Sequence, residues 1–395
     1  MSKLRTVKVG IVGCGGIANG KHMPALKKCD NVEMIAFCDI IEERAVKAAA
    51  DYGVEGAKVF TDYRDLVAMK DVEVVHVLTP NYKHAEISIA ALDAGKHVMC
   101  EKPMATTSAE ARAMCEAARR NGKKLTIGYQ SRSEPSYQYA HNLVAAGKIG
   151  EVYYFKAPSI RRRGVPTWGV FMDEEKQGGG PMIDIGTHSI DAALYVVNNY
   201  DVASVTGVVN NKLKYYAKDN GSWGPWGEDR PFTVEDSAMG MVRFKNGAMM
   251  YVEASWLLNV TDGGHPTFCG TLGGIEMMRG GVAINGERPD ETGAMKLFDE
   301  VYKPTPADRT YFKDEALSST EYEARQWIQA VVEDLDPIVL PEQAAVVTEI
   351  IEAIYKSGRT GRTVDLANLK RKGKRGFLKE AWQELLIWER DGLYQ

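Results

Sequence analysis

The chain has 395 residues, 45% hydrophobic and 26% charged, with 49 Lys and Arg against 53 Asp and Glu for a net charge of −4. That length suits two domains, and the mix is that of a globular chain with a large core, which excludes disordered, collagen-like and coiled-coil readings of the whole. A mildly acidic chain has no global attraction for nucleic acid or an anionic membrane, so neither is expected as a partner.

In chain order, residues 7–12 read as a short buried strand, too short for a signal-peptide core, and no small-residue cleavage site follows. No apolar run reaches the roughly 18 residues of a membrane span. A Gly-rich turn and a helix near 17–28 come next. Strands at 32–39, 59–60, 72–78, 97–101 and 125–128 then alternate with helices at 42–52, 63–69, 84–94 and 108–121. Strands spaced by helices of this length imply parallel βαβ units with right-handed crossovers, hence an α/β chain whose residues 1–128 form a doubly wound parallel sheet.

Beyond about residue 150 the pattern changes. Residues 152–159 read as a long strand. Residues 237–244 and 248–254 flank Lys245-Asn246-Gly247, whose Asn-Gly step signals a hairpin turn. Residues 267–284 add Gly-punctuated strand material. A second, mostly antiparallel α+β domain over 129–395 is expected, with a late helix at about 341–357 packing back on the first. No repeat or low-complexity segment is present. Residues 213–235, with Tyr215, Tyr216, Trp223 and Trp226, read as a loop. The basic cluster Lys370, Arg371, Lys372, Lys374 and Arg375 reads as solvated surface or a subunit contact. Cys14, Cys29, Cys38, Cys100, Cys115 and Cys269 include no CxxC pair and read as buried free thiols in a reducing cytosol.

Three motifs carry chemistry. Gly13-Cys14-Gly15-Gly16-Ile17-Ala18 fits G-x-G-x-x-A between a strand and a helix. The first Gly permits the tight turn, the second a close approach of backbone to pyrophosphate, and Ala18 close helix–strand packing. Asp39 ends the second strand, where a carboxylate accepts from a ribose diol and repels a 2′-phosphate, which favours NAD over NADP. The competing reading is a generic strand–helix turn with Asp39 as a helix cap. Glu101-Lys102-Pro103 closes the fifth strand, at the sheet end where ligands bind. A lysine there can stabilise a developing alkoxide, and Pro103 fixes the backbone and allows a cis peptide before it. Taken alone, the tripeptide fits a surface lysine equally. Gly178-Gly179-Gly180-Pro181 leads into Asp184 and His188, which at i and i+4 share a helix face. His188 is a natural general base. Asp184 could orient it or bind a second hydroxyl, or the two could form a purely structural helix pair. His22, His76, His84, His97, His141 and His265 show no zinc-type spacing, so no metal is expected.

Gly13-x-Gly15-x-x-Ala18, Thr79-Pro80-Asn81 with His84, Glu101-Lys102-Pro103 and Asp184-x-x-x-His188 together resemble, over nearly the whole chain, the glucose–fructose oxidoreductase / inositol dehydrogenase (Gfo/Idh/MocA) family. The resemblance implies a Rossmann domain followed by an α+β domain with a large open sheet, and a homo-oligomer (dimer, tetramer or higher) formed through that sheet. It implies a cytoplasmic, bacterial NAD-dependent oxidoreductase acting on a sugar, glycoside or cyclitol, with Lys102, Asp184 and His188 catalytic. Cofactor contacts would fall on Gly13, Gly15, Gly16, Ile17, Ala18, Asp39, Arg44, Thr79, Pro80, Asn81, His84, Glu101, Lys102 and Gln130. In the segment 161–168, Arg163 and Trp168 would join Lys102, Asp184 and His188 in binding substrate, although its arginines also fit ordinary surface charge. Within the family the Arg-rich segment, Trp168 and the Gly178-Gly179-Gly180 loop resemble glycoside 3-dehydrogenases of intestinal bacteria, which oxidise the glucose C3 hydroxyl, C-glucosides included. Trp223 and Trp226 could stack on a flat aglycone or form an oligomer contact. Two other readings remain on this fold: a glycosidase- or epimerase-like enzyme that recycles a tightly held NAD, and a non-catalytic NAD-binding regulator, which would not need Lys102, Asp184 and His188.

Overall fold

Val7, Val9 and Ile11 are fully buried, and every residue of the first strand but Lys8 is buried. A strand covered on both faces reads as such a continuous apolar run. The computed structural model describes residues 5–216, 223–224, 226, 232–278, 280–312 and 317–367. The basic cluster at 370–375 lies outside them. The described chain falls into two units, one of residues up to 128 together with 320–348, the other of 129–319 together with residues from 349.

The first unit runs β1 (Val7–Val12), α1 (Met23–Lys27), β2 (Val32–Cys38), α2 (Glu42–Tyr52), β3 (Lys58–Phe60), α3 (Tyr63–Ala68), β4 (Val74–Val77), α4 (His84–Asp93), β5 (His97–Cys100), α5 (Ser108–Arg120) and β6 (Leu125–Ile127). Its six strands are all parallel, in the order β3-β2-β1-β4-β5-β6. Strand order reverses between β1 and β4, which opens a crevice at their C-terminal ends. The helix expected near 17–28 is broken: a wide π-type turn, Ala18–His22, precedes α1. Pro24 has no N–H to return to the carbonyl four residues back, so a regular helix cannot run through.

The second unit holds α6 (Pro135–Ala145), β7 (Val152–Ile160), α7 (Glu174–Gln177), α8 (Thr187–Val197), β8 (Val202–Asn210), β9 (Ser237–Phe244), β10 (Met249–Ser255), β11 (Thr267–Gly270), β12 (Gly273–Met278), β13 (Gly281–Pro289) and β14 (Met295–Tyr302). Helices α9 (Ser319–Val332) and α10 (Pro341–Thr360) and strand β15 (Val364–Asp365) follow. The nine-stranded sheet has the order β14-β13-β12-β11-β7-β10-β9-β8-β15 and is antiparallel except for β7 against β10. The Asn246-Gly247 turn joins β9 to β10, with Gly247 at φ +91°. Sequence patterning marked no element over 319–332, yet α9 places Ala324, Trp327, Ile328 and Val331 in the core of the first unit with Val9, Ile11, Leu26 and Phe37. The division between units falls within α10.

All six cysteines are free thiols. Among the described residues no helix is long and apolar enough to cross a membrane, and no group of three or more His, Cys, Asp and Glu is placed to hold a metal ion.

Candidate active site

β1 ends at Val12, and the chain turns at Gly13 with φ +93°. A Cβ there would lie 2.5 Å from the Leu78 carbonyl oxygen, so the turn requires glycine. At Gly15 and Gly16 a Cβ would meet nothing within 4 Å: these two face open space. Asn19 Nδ2 donates to the carbonyls of Cys14 and Gly15, each at 2.9 Å, and sets the loop. Ala18 is fully buried, while Ile17 is exposed. Asp39 is buried at the end of β2, where Oδ2 accepts from the Cys14 N–H at 2.8 Å and Oδ1 from the Ile41 N–H at 2.9 Å. Each carboxylate oxygen keeps a further lone pair for a hydroxyl. Burial, reinforced by the Asp39 charge, pushes the Cys14 thiol up to about 12, so it stays neutral. A cavity of about 300 Å³ is lined by Cys14, Gly15, Gly16, Asn19, Arg44 and Lys47. Two cations facing a glycine loop at a helix start fit a dinucleotide pyrophosphate. Gly15→Leu would project a side chain into that space, where its Cβ meets nothing within 4 Å. It is expected to leave the melting temperature unchanged and to weaken NAD binding by about tenfold or more, read by titration calorimetry. Unchanged affinity would detach this loop from the cofactor.

The next elements meet at the ends of β4 and β5. Thr79-Pro80-Asn81 forms the turn into α4, with Asn81 buried and Pro80 exposed. The Thr79 Oγ1 hydroxyl is buried with no partner among the described residues, a polar atom left over beside the crevice. His84 is buried, with Nδ1 2.7 Å from the Pro103 carbonyl and Nε2 2.8 Å from the Thr79 carbonyl. Both ring nitrogens face backbone, so the imidazole staples the Thr79 turn to the Lys102-Pro103 turn, whose peptide bond is cis. Glu101 is buried as well. It accepts from Lys21 Nζ at 3.0 Å, from His22 Nε2 at 2.8 Å and from the Lys102 N–H at 3.0 Å. Lys21 also pairs with Glu323 of α9 at 2.9 Å. Burial alone would raise the Glu101 carboxyl, but Lys21, His22 and Lys102 hold it well below the usual carboxylate range. Burial alone would lower Lys21; Glu101 and Glu323 outweigh it and raise the ammonium pKa. Lys102 itself is half-buried, two residues beyond β5.

In the second unit the glycine run closes α7: Gly178 sits at φ +83° and Gly179 at φ +153° against the Tyr355 ring. Buried Glu235 accepts from the Gly180 N–H at 2.7 Å, the Met182 N–H at 3.1 Å and the Tyr355 hydroxyl at 2.8 Å. It holds the start of a second π-type turn, Met182–Gly186, which carries Asp184 and runs straight into α8 with His188 in its first turn. Such turns recur at functional sites because they re-aim side chains within a helix. Asp184 is buried and accepts from Trp256 Nε1 at 3.2 Å; His188 is half-buried. Arg132 anchors α8 by two bonds to buried Asp191, at 3.0 and 2.7 Å. Gln130 is half-buried in the short turn Gln130–Ser133. Arg163 donates to Asn259 Oδ1 at 2.9 Å. Of the two loop tryptophans, Trp226 is buried and donates to the Lys214 carbonyl at 3.1 Å, whereas Trp223 is 47% exposed beside Trp168. Sequence reasoning missed Lys21, Glu235 and Trp256, because no local spacing marks a residue whose partner is distant in the chain.

Residues 7–129 match the model of an oxidoreductase family with an NAD-binding Rossmann fold, and residues 137–276 match the GFO/IDH/MocA C-terminal domain. The chain is 32% identical over 366 residues to D-glucoside 3-dehydrogenase of Escherichia coli (strain K12), covering 91% of the chain and 97% of the relative. It is 41% identical over 147 residues to inositol 2-dehydrogenase of Salmonella paratyphi B, covering 37% and 44%. A solved structure of levoglucosan dehydrogenase in complex with NADH and levoglucosan superposes with a TM-score of 0.76 at 25% identity, covering 92% of the chain and all of that structure.

Proposed function

The chain belongs to the Gfo/Idh/MocA oxidoreductase family, and from that premise we propose that it oxidises the C3 hydroxyl of a glucoside, C-glucosides included. It is an NAD-dependent oxidoreductase. The observation that carries the finer reading is the match along nearly the full length of a D-glucoside 3-dehydrogenase, in a chain that has Lys102, Asp184 and His188. Bound NAD⁺ supplies the hydride acceptor for the carbinol carbon. Gly13, Gly15, Gly16, Ile17 and Ala18 form its pyrophosphate turn, with Arg44 and Lys47 neutralising charge and Asp39 taking ribose hydroxyls. Thr79, Pro80, Asn81 and Gln130 complete the cofactor contacts. His84 and Glu101 act behind them, as the staple of two loops and the anchor of the Lys102 backbone. His188 takes the hydroxyl proton as general base. Lys102 hydrogen-bonds the same oxygen as it becomes a carbonyl, and Asp184, fixed by Trp256, orients His188 or a neighbouring hydroxyl. Arg163 and Trp168 contact the substrate.

The same reading takes the second unit as substrate-binding and the protein as a cytoplasmic homo-oligomer. Exposed Tyr153 on β7, Val208 on β8 and Met241 on β9 leave apolar area on the nine-stranded sheet, and free thiols suit a reducing compartment. The test is absorbance of reduced nicotinamide with NAD⁺ and a panel of inositols, free sugars, O-glucosides and C-glucosides. NADH formed with glucosides, and a 3-keto product, is the expected result. NADH with inositols alone would overturn the glucoside assignment. Glucoside consumed without NADH would transfer belief to the NAD-recycling mechanism.

A further inference from the structure

We infer that Trp168, Trp223 and Arg161 form a subsite for a planar aromatic aglycone. This rests on the glucoside reading above and specifies which glucosides the site favours. Trp168 is 52% exposed and Trp223 47%, although Trp226, Trp256 and Trp327 are all buried. The two exposed indoles meet edge to face, with centroids 5.1 Å apart and planes at 71°. Two rings at that angle make a corner: a flat ligand can stack on one face while meeting the edge of the other. The Arg161 guanidinium lies over the Trp223 ring at 5.0 Å and gives the corner a positive side that favours an electron-rich or acidic phenol.

The corner is built and not merely left over. Thr167 Oγ1 donates to the Trp223 carbonyl, tying the two loops together. The Arg161 N–H donates to the Ser255 carbonyl at 2.9 Å, Ser255 Oγ returns a bond to the Arg161 carbonyl at 3.1 Å, and Arg161 Nη1 donates to the Gly164 carbonyl at 3.1 Å. The corner is linked to Asp184 through packed side chains. Phe171, at 5.8 Å from Trp168, packs on the cluster of Val165, Trp226 and Trp256, and Trp256 is the donor to Asp184. Burial lowers the Arg161 guanidinium pKa, and the Asp184 carboxylate opposes that shift.

Half-exposed, the two indoles offer about 250 Å² at 150–250 Å² buried per aromatic side chain, which matches one or two fused rings.

The experiment compares phenyl and methyl β-glucoside. With the wild type, kcat/KM for the phenyl glucoside should exceed that for the methyl glucoside by about tenfold, mostly through KM. Trp223→Ala should abolish that ratio, and Arg161→Gln should reduce it. Equal kcat/KM for the two glucosides in the wild type, or a ratio unmoved by Trp223→Ala, would overturn the proposal. A change of subunit number in Trp223→Ala by sedimentation would do the same, since it would make the patch an interface. If neither glucoside is oxidised, the C3 assignment fails by itself. Calorimetric binding of phenyl and methyl glucoside in the presence of NAD⁺ then still tests the platform, with tighter phenyl binding lost in Trp223→Ala supporting it and equal binding overturning it.

Discussion

Lys102→Ala is expected to lower kcat for NAD-dependent oxidation of the sugar or cyclitol substrate by about 10²–10⁴-fold, the range for losing one proton-handling group. Affinity for NAD should stay within about twofold, because the loss is one of transition-state stabilisation and not of ground-state binding. Lys102 follows Glu101, whose carboxylate accepts the Lys102 N–H at 3.0 Å and is itself fixed by Lys21 and His22. The backbone that carries the ammonium is thus held from behind, and removing the side chain leaves that support intact. Lys102→Arg should not restore turnover, since the guanidinium fork differs in reach and donor geometry from an ammonium. Initial rates of NADH formation and calorimetric NAD affinity check both halves. Wild-type turnover in the alanine variant would remove Lys102 from the chemistry.

Lys21→Met is expected to destabilise the protein by about 3–5 kcal/mol, the cost of leaving buried charge without its partner. The side chains of Lys21, Glu101 and Glu323 are 9%, 6% and 8% exposed, so water cannot take the place of the missing ammonium. Urea denaturation at pH 7 reads the loss, and Lys21→Met with Glu323→Gln should recover part of it, because those two residues are in contact. The pH dependence carries a definite sign. In the wild type the Glu101 carboxyl titrates below its unfolded value of about 4.3, so its contribution is present above that pH and is lost as pH falls toward the folded value. In Lys21→Met burial acts with less opposition and raises the carboxyl, so the deficit should narrow on acidification from pH 7 to pH 5. A deficit under 1 kcal/mol at pH 7, or one that widens on acidification, would show that the network is not held by charge.

Much of the first unit was legible because its signals are local. Buried parallel strands are short apolar runs, the crossovers are amphipathic helices, and Gly13 stands where only a residue without a Cβ fits under Leu78. Glu101-Lys102-Pro103 was likewise placed at a strand end by pattern alone. The hairpin at Asn246-Gly247 was readable because positive φ is a property of the turn itself. What escaped depends on distant partners. Nothing near Lys21 in the chain announces Glu323, and nothing near Gly180 announces Glu235 or Tyr355. The donors that meet Glu101, Lys21 and His22, lie about 80 residues away in the chain, and only the Lys102 N–H is local. Trp223 and Trp226 looked equivalent three residues apart, and tertiary packing separated them into surface and core. The two π-type turns were missed because helix-period patterning assumes 3.6 residues per turn throughout.

The Rossmann unit is discontinuous in the chain, and that has a consequence for how the protein is made. Trp327, Ile328 and Val331, which seal its core, and Glu323, which completes the Lys21 pairs, follow residue 128 by about 200 residues. At about 5–20 residues per second, that separation is roughly 10–40 s of synthesis. For that interval the nascent first 128 residues have left the ribosome with an uncovered apolar face and a lysine that has one of its two carboxylates. Folding of the cofactor-binding unit is thereby deferred until most of the chain exists, and a ribosome that stalls in the second unit releases a fragment poised to aggregate.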